Sequence, residues 1–189
     1  MSSPTPDETI LGLLAVEARH GYDLLECFHS NTQLGRVWNM STSQLYAVLK
    51  RLQRREEIVG RQVIVENAPP RTQYHLTEAG RARLISWLDD PTPSGTIRRI
   101  RVEFLSRLYV LRMLNLPTQH AVRCQRASCL RERALLAAER QSATPGVSLL
   151  AVEFVIEQLD AVLRWLDRCE IGPQNGHLEP DKEGAHEPY

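Results

Sequence analysis

The residues of this chain whose types and spacing could carry chemistry are hydrogen-bond donors and acceptors on one face of a predicted helix. They are Ser43, Gln44, Tyr46, Lys50 and Arg54. Ser41 and Gln44 have capping-box spacing and place the start of this helix. An apolar stripe then marks its buried side: Leu45, Val48, Leu49 and Leu52. Small polar residues followed by cations suit a helix laid in the major groove of DNA, where Gln44 can read an adenine edge.

The alternative interpretation of this face is an ordinary solvated surface, because many surface helices are basic on their exposed side. The residues that follow favour the first interpretation. Residues 58–66 are rich in β-branched types and predict a strand, 67–70 a turn and 71–76 a second strand. Arg61 and Arg71 would lie on this ribbon and contact phosphates beside the groove. A second capped helix begins at Thr77 and stops before Pro91.

Other chemistries are poorly supported by the sequence. No Gly-rich phosphate loop, nucleophile elbow or metallohydrolase spacing occurs, so we predict no catalytic residue and no cofactor. His20, Asp23 and Cys27 are spaced for one helical face and could hold a metal ion. A first-row metal needs a fuller ligand set, however, and we predict no metal site. The four cysteines show no CxxC pair and are expected to be free thiols.

The charge of the chain is zero in sum but unevenly distributed. Residues 36–83 hold nine Lys/Arg against four Asp/Glu, 91–145 hold ten against three, and 146–189 hold three against nine. The basic footprint that a polyanion needs is therefore local. No apolar run is long enough to span a bilayer, and no signal segment opens the 189 residues. We therefore expect a cytoplasmic, nucleoid-associated protein without a membrane partner.

Several motifs occur in a characteristic order over about the first ninety residues. They are ILGLL at 10–14, HGY at 20–22, LY at 45–46, LKRL at 49–52, PPRTQYHLTEAGR at 69–81 and WL at 87–88. This ordered set resembles the PadR-type transcriptional regulators, whose virulence-activator-like subgroup follows the DNA-binding part with a helical dimerisation region. One departure is visible. The glycine usual before the wing is Glu57 here, and Gly60 can take over part of its role.

The C-terminal half is predicted to be helical. PTPSG at 91–95 reads as a linker, 96–170 as three helices, and 171–189 as a disordered tail. The third helix is apolar over a wide arc and cannot stay exposed. It can pack against the second helix within one chain, with its acids facing arginines, or form a dimer interface, which the resemblance also implies. Both can hold. The predicted dimerisation residues are Phe104, Leu108, Leu149, Val152, Ile156, Leu159, Leu163 and Leu166.

The sequence thus predicts a mainly α protein: a winged helix-turn-helix with a small β-wing over 1–90, then an α-helical dimerisation domain. The resemblance implies a homodimeric repressor that covers a palindromic operator and is released by a small hydrophobic or aromatic effector. Trp87, Tyr109 and Trp165 could line the effector pocket, although such aromatics are more often core residues. An activator on the same fold and a winged helix that binds only protein are the alternatives.

Overall fold

The computed structural model describes residues 4–29, 32–63 and 71–171. For residues 170 and 171 it describes the backbone alone. The chain is mainly helical, with a small three-stranded antiparallel sheet in the order β1-β3-β2. The N-terminal elements are α1 (Asp7–Val16), β1 (Arg19–His20), α2 (Gly21–Glu26), a 3₁₀ turn (Leu34–Arg36), α3 (Thr42–Arg54), β2 (Ile58–Val63), β3 (Arg71–Leu76) and α4 (Glu78–Leu88). We call residues 4–88 the winged-helix head.

The start of α3 follows the predicted capping box. The Ser41 hydroxyl accepts a hydrogen bond from the Gln44 backbone N–H at 3.3 Å, and Gln44 Oε1 accepts one from the Ser41 N–H at 2.8 Å. The predicted apolar stripe is buried: Leu45, Val48, Leu49 and Leu52. Local chemistry therefore fixes both where this helix begins and which side faces the core.

The end of α3 corrects the prediction about Glu57. The residue with a left-handed backbone is Glu56, at φ 57°. The N–H of Glu57 donates to the Leu52 carbonyl, and the N–H of Glu56 donates to the Gln53 carbonyl, which is a Schellman ending. Glycine is therefore favoured one position earlier than we expected, and Glu57 adopts a conformation open to any residue.

The wing is an antiparallel ribbon with Gly60 opposite Tyr74. The predicted turn at 67–70 and the last residues of the predicted first strand lie outside the described residues. The sequence did not indicate β1, which pairs with β3 through Arg19 opposite Tyr74. Two residues are too few to show strand periodicity. On the far side of the ribbon, Thr77 caps α4 by accepting from the Gly80 N–H at 3.2 Å, as predicted.

Three helical rods follow the head, as predicted. The first rod runs without a break through α5 (Ile97–Arg99), a π-helical segment (Ile100–Phe104) and α6 (Leu105–Met113). The second rod is α7 (Gln119–Ser142), and the third is α8 (Val147–Ile171). The predicted tail lies outside the described residues, except for Ile171 at the end of α8. No described helix is both long and apolar enough to cross a membrane.

The antiparallel pair of α7 and α8, here called the helical hairpin, has the predicted charge pairing. Arg126 bonds Asp167 at 3.0 Å, Arg140 bonds Glu153 at 2.9 Å, and Arg133 bonds Asp160 between them. The partners step by seven residues along both helices, so one seam carries all three ion pairs. The apolar arc of α8 is accordingly packed against α7 within one chain.

The head and the helical region share one hydrophobic core rather than two. Helix α1 lies between α4 and α6, and a Cβ at Gly12 would lie 2.6 Å from a Val110 methyl group, so the two helices approach closely. The indole N–H of Trp38, between α2 and α3, donates to Ser106 Oγ on α6 at 2.8 Å. The predicted boundary at residue 90 therefore separates sequence segments whose side chains interlock.

Candidate nucleic-acid interface

The predicted DNA-contacting residues of α3 share one exposed face. Ser43, Gln44, Tyr46, Lys50 and Arg54 are all exposed. The opposite side of the helix is the buried stripe, so the exposed face is fixed in direction by the core. The structure thus brings together all five residues that the sequence singled out on this helix.

Gln44 lies at the start of this face with part of its side chain already engaged. Its Oε1 accepts the cap bond from Ser41, so the carbonyl end of the amide is held towards the backbone. A bidentate contact with adenine uses both ends of an amide. On binding, Oε1 would therefore have to share its cap bond, while Nε2 supplies the donor to the base.

A cluster of ion pairs connects α3 to its neighbouring elements. Asp7 on α1 is 1% exposed and accepts two hydrogen bonds from Arg51, through Nε at 3.0 Å and through Nη2. Arg83 on α4 bonds Glu8 at 2.7 Å and Glu57 at 2.6 Å. The Arg51 side chain is therefore paired with Asp7 and half-buried, so it does not join the exposed face of α3. This ion-pair network joins α1, α3, α4 and the start of the wing.

Asp7 is held in its charged form by this network. Burial raises the pKa of the Asp7 carboxyl, but the hydrogen bonds and charges of Arg51 and Arg83, with a hydrogen bond from Thr5, outweigh burial. The net pKa lies below the ordinary value for an aspartate. A charged Asp7 is what Arg51 requires, since its guanidinium would otherwise lose the carboxylate that it bonds in a half-buried site, whereas Arg83 also bonds Glu8 and Glu57.

The wing arginines project from one side of the ribbon. Arg61 lies opposite Gln73, and Arg71 is two residues from Gln73 along β3. Opposite residues and residues two apart share a face of a sheet, so Arg61 and Arg71 are diagonal neighbours. Both are exposed. The pair therefore presents two cations together, as a phosphate contact needs.

A cleft of about 620 Å³ separates the wing from the two helices of the helix-turn-helix. Its lining is His20, Gly21, Tyr22, Asp23, Tyr46, Arg71, Thr72 and Tyr74. Tyr46 leans over Gly21, where a Cβ would lie 2.8 Å from the phenol oxygen. Tyr22 is 67% exposed, and we had not selected it. The sequence feature that could have identified Tyr22 is a bulky aromatic residue directly after a glycine, in the HGY motif.

The residues once considered for a metal site are engaged in local hydrogen bonds. Asp23 accepts from the His20 N–H at 3.1 Å, and His20 Nδ1 lies 3.1 Å from the Thr72 carbonyl oxygen. Cys27 Sγ donates to the Asp23 carbonyl at 3.4 Å and accepts from Arg19 at 3.3 Å. Within the described ranges, no three His, Cys, Asp or Glu side chains converge on a common point. These contacts fasten α2 to the sheet.

The predicted effector pocket residues are half-buried and do not line the cleft. Trp87 lies under the guanidinium of Arg107, 5.3 Å from the ring centroid, and Trp165 meets Phe104 edge-on at 6.0 Å. Arg107 is 2% exposed and reaches Asp90 at 3.4 Å. The Nε and Nη1 atoms of Arg107 make no hydrogen bond to any residue that the structure describes. Both tryptophans therefore pack against the rod that contains α6.

The predicted dimerisation residues fall into two groups. Phe104, Leu108, Val152, Leu159 and Leu166 are already buried within a single chain, and their role at an interface stays a prediction. Leu149, Ile156 and Leu163 are half-buried, and their role stays a prediction. The exposed apolar side chains of the hairpin, which we had not selected for an interface, are Leu130, Leu135, Val147, Leu150 and Phe154.

Comparison with known proteins finds a family model that matches the head. Residues 10–86 match the model of the Transcriptional regulator PadR-like family. The similarity runs through the winged-helix head, from α1 to α4. The negative transcriptional regulator PadR of Bacillus subtilis is 32% identical over 108 residues, which are 56% of this chain and 56% of that protein. A probable transcriptional regulator of Mycobacterium tuberculosis is 27% identical over 82 residues, 43% of this chain and 42% of that one.

The chain therefore spans about half the length of the curated relatives it matches. Among solved structures, Bacillus subtilis PadR in complex with operator DNA is 24% identical with a TM-score of 0.45, covering 89% of this chain and 98% of that one. The same protein with p-coumaric acid is 23% identical with a TM-score of 0.40, covering 88% and 96%. The PadR-like match ends within α4, ahead of the three helical rods.

Proposed function

We propose that this chain is a sequence-specific DNA-binding transcriptional regulator, acting as a homodimeric repressor. The observation that carries the proposal is the exposed polar face of α3 beside the wing, where Tyr46 and Arg71 line one cleft. Face and wing together offer an amide and hydroxyls to base edges, and Lys50, Arg54, Arg61 and Arg71 to phosphates. The match of residues 10–86 to the PadR-like family model supports it, as does the name of the Bacillus subtilis relative, a negative transcriptional regulator.

The second copy would be bound through the helical hairpin. Leu150 and Phe154 on α8 are 63% and 64% exposed, and Leu135 and Val147 lie at the same end of the hairpin. Exposed apolar side chains of this size are costly in water, and a partner would cover them. A two-fold dimer presents two copies of α3 to a palindrome, whose half-sites lie about one helical turn apart. Bound over a promoter, such a dimer blocks the polymerase. DNA as partner places the protein in the cytoplasm, at the nucleoid.

A small hydrophobic effector would release the operator by changing the separation of the two α3 helices. The support is positional: Trp87 and Trp165 lie at the junction between the head and the helical rods, where a ligand could shift one against the other. Tyr109 is half-buried on α6. Repression and effector response are separate parts of the proposal, because DNA binding does not require the effector.

The deciding experiment titrates the purified protein against the DNA upstream of its own gene, with excess nonspecific competitor. We expect a saturable, salt-sensitive complex. Lys50→Ala together with Arg71→Ala should weaken binding to all sequences alike and lower the slope of log K against log salt by about one per lost phosphate contact.

The matched control is Arg123→Ala, which removes a charge from an exposed site on α7. It should leave both affinity and slope unchanged. Wild-type binding by the double variant would refute the placement of the interface. The absence of any saturable complex would favour a module that binds protein only, and an operator upstream of the promoter would indicate an activator.

A further inference from the structure

The segment between the head and the helical rods is packed rather than loose. Its composition, PTPSG, predicted a linker, yet Pro93 and Gly95 are buried. The Ser94 carbonyl accepts a hydrogen bond from Gln125 Nε2 on α7 at 2.8 Å. Gln125 is itself 1% exposed, so this bond is shielded from water. The short segment is therefore held against α7 by a buried polar contact.

Gly95 makes this approach possible. A Cβ at this position would lie 2.6 Å from the Ser128 carbonyl oxygen and 2.9 Å from the Glu132 Cβ. Backbone atoms of α7 cannot move aside without distorting the helix, so any larger residue must push the segment away. We call the contacts of Ser94 and Gly95 with Gln125 and Ser128 the linker clamp.

The linker clamp lies at the joint between two parts of the structure, each held together by its own contacts. The first part is the head with α6, which is joined through the Trp38–Ser106 bond and the close packing of Gly12 on Val110. The second part is the helical hairpin with its three ion pairs. Besides the clamp, buried apolar contacts cross the joint, including the edge-on contact of Phe104 with Trp165 and the packing of α5 on α8. Apolar contacts permit rotation more readily than a hydrogen bond does.

We infer that the linker clamp determines which half-site spacing the dimer accepts. The inference rests on the proposed function, with the helical hairpin as the dimerisation surface. The angle between hairpin and head then fixes the distance and twist between the two copies of α3. Adding one base pair between half-sites moves them by about 3.4 Å and rotates them by about 34°. A fixed joint rejects such a change, and a loosened joint tolerates it.

The test uses palindromes built from a half-site selected out of random DNA, with the spacer varied one base pair at a time. Gln125→Leu removes the donor at nearly constant volume, and Gly95→Ala pushes the segment from α7. The control is Pro91→Ala, an exposed change in the same segment. Wild type and control should lose about tenfold in affinity for each base pair from the optimum, and the two variants about threefold or less. Affinity for a single half-site should stay unchanged.

An unchanged spacing profile in both variants would overturn the inference, as would a wild type that accepts every spacing equally. If Gly95→Ala fails to fold by circular dichroism, Gln125→Leu alone decides. If wild type binds no palindrome at any spacing, the proposed function itself fails and the inference falls with it. That result differs from palindrome binding with an unaltered profile, which rejects only the clamp.

Discussion

Gln44 combines two tasks on the exposed face of α3, since its side chain both caps the helix and begins the base-reading surface. An alanine at this position would remove both at once. Gln44→Glu separates them, because a glutamate keeps the acceptor for the Ser41 N–H and loses the donor. We expect the melting temperature to stay unchanged. The preferred base at one operator position should change from adenine towards cytosine, because a carboxylate can accept a hydrogen bond from the cytosine amino group.

The measurement is a selection from random DNA with both proteins. Lys50→Ala serves as the comparison, because it should weaken binding while leaving the order of preferred bases intact. An unaltered adenine preference in Gln44→Glu would show that another residue reads this position.

Two neighbouring glutamates at the end of α3 should respond in opposite directions to substitution. Glu56 has φ 57°, so Glu56→Gly relieves the left-handed backbone and should raise the free energy of unfolding by about 0.5–1 kcal/mol. Glu57→Ala removes the carboxylate bound by Arg83 and should lower it by about 1 kcal/mol. Urea unfolding of the two variants checks both signs. A destabilised Glu56→Gly protein would contradict the backbone assignment.

At the scale of elements, the ion-pair network should make the placement of α3 sensitive to acid. The pKa of Asp7 is lower in the folded chain than in an unfolded one, so its contribution is complete above about pH 4 and is lost as the pH falls through the lower folded value. Asp7→Asn should cost about 2 kcal/mol at pH 7, because Arg51 loses its partner.

The measurement for Asp7 is unfolding free energy against pH from 7 downwards. Wild type should lose more stability on acidification below about pH 4 than Asp7→Asn does. Asp89→Asn, at an exposed aspartate following α4, is the control and should behave as wild type. Parallel curves for wild type and Asp7→Asn would show that Asp7 titrates without linkage to folding.

Elements whose signals are local could be predicted, and contacts between distant segments could not. The capping box and apolar stripe of α3 lie within thirteen residues, and both were confirmed. The apolar arc and acids of α8, with the arginines of α7, likewise indicated that the two helices can pair within one chain, and three ion pairs join them. Asp7 and Arg51 are 44 residues apart, and Gln125 and Ser94 are 31 apart. Neither partner shows a periodicity or motif that identifies the other, so the network and the clamp required the structure.

At the scale of the whole molecule, one apolar end of the hairpin is exposed among the described residues, and we expect these apolar side chains to decide the state of assembly. Leu150→Glu together with Phe154→Glu places charges where a partner would pack, so we expect a monomer by light scattering and a loss of about a hundredfold in affinity for a palindrome. The melting temperature of dilute protein should change little, because both side chains are exposed within the chain.

Leu116→Glu is the control for the assembly variant. It changes an apolar residue that is 44% exposed between α6 and α7, away from the hairpin end, and should leave the dimer intact. A double variant that remains dimeric would move the interface elsewhere. A wild type that is monomeric at the concentrations used for DNA binding would remove the two-fold part of the proposal.

The interlocking of α1 with α6 limits how this protein can be divided or exchanged. A fragment ending at residue 90 would lack Val110, which packs on Gly12, and Ser106, which accepts a hydrogen bond from Trp38. The side of α1 that faces α6 would then be exposed to water, and the head would be prone to aggregate. The same holds over evolutionary time. Recombination that fuses this DNA-reading part to a foreign sensory region would have to carry α6 with it. The unit that recombination must transfer intact is therefore longer than the segment proposed to contact DNA.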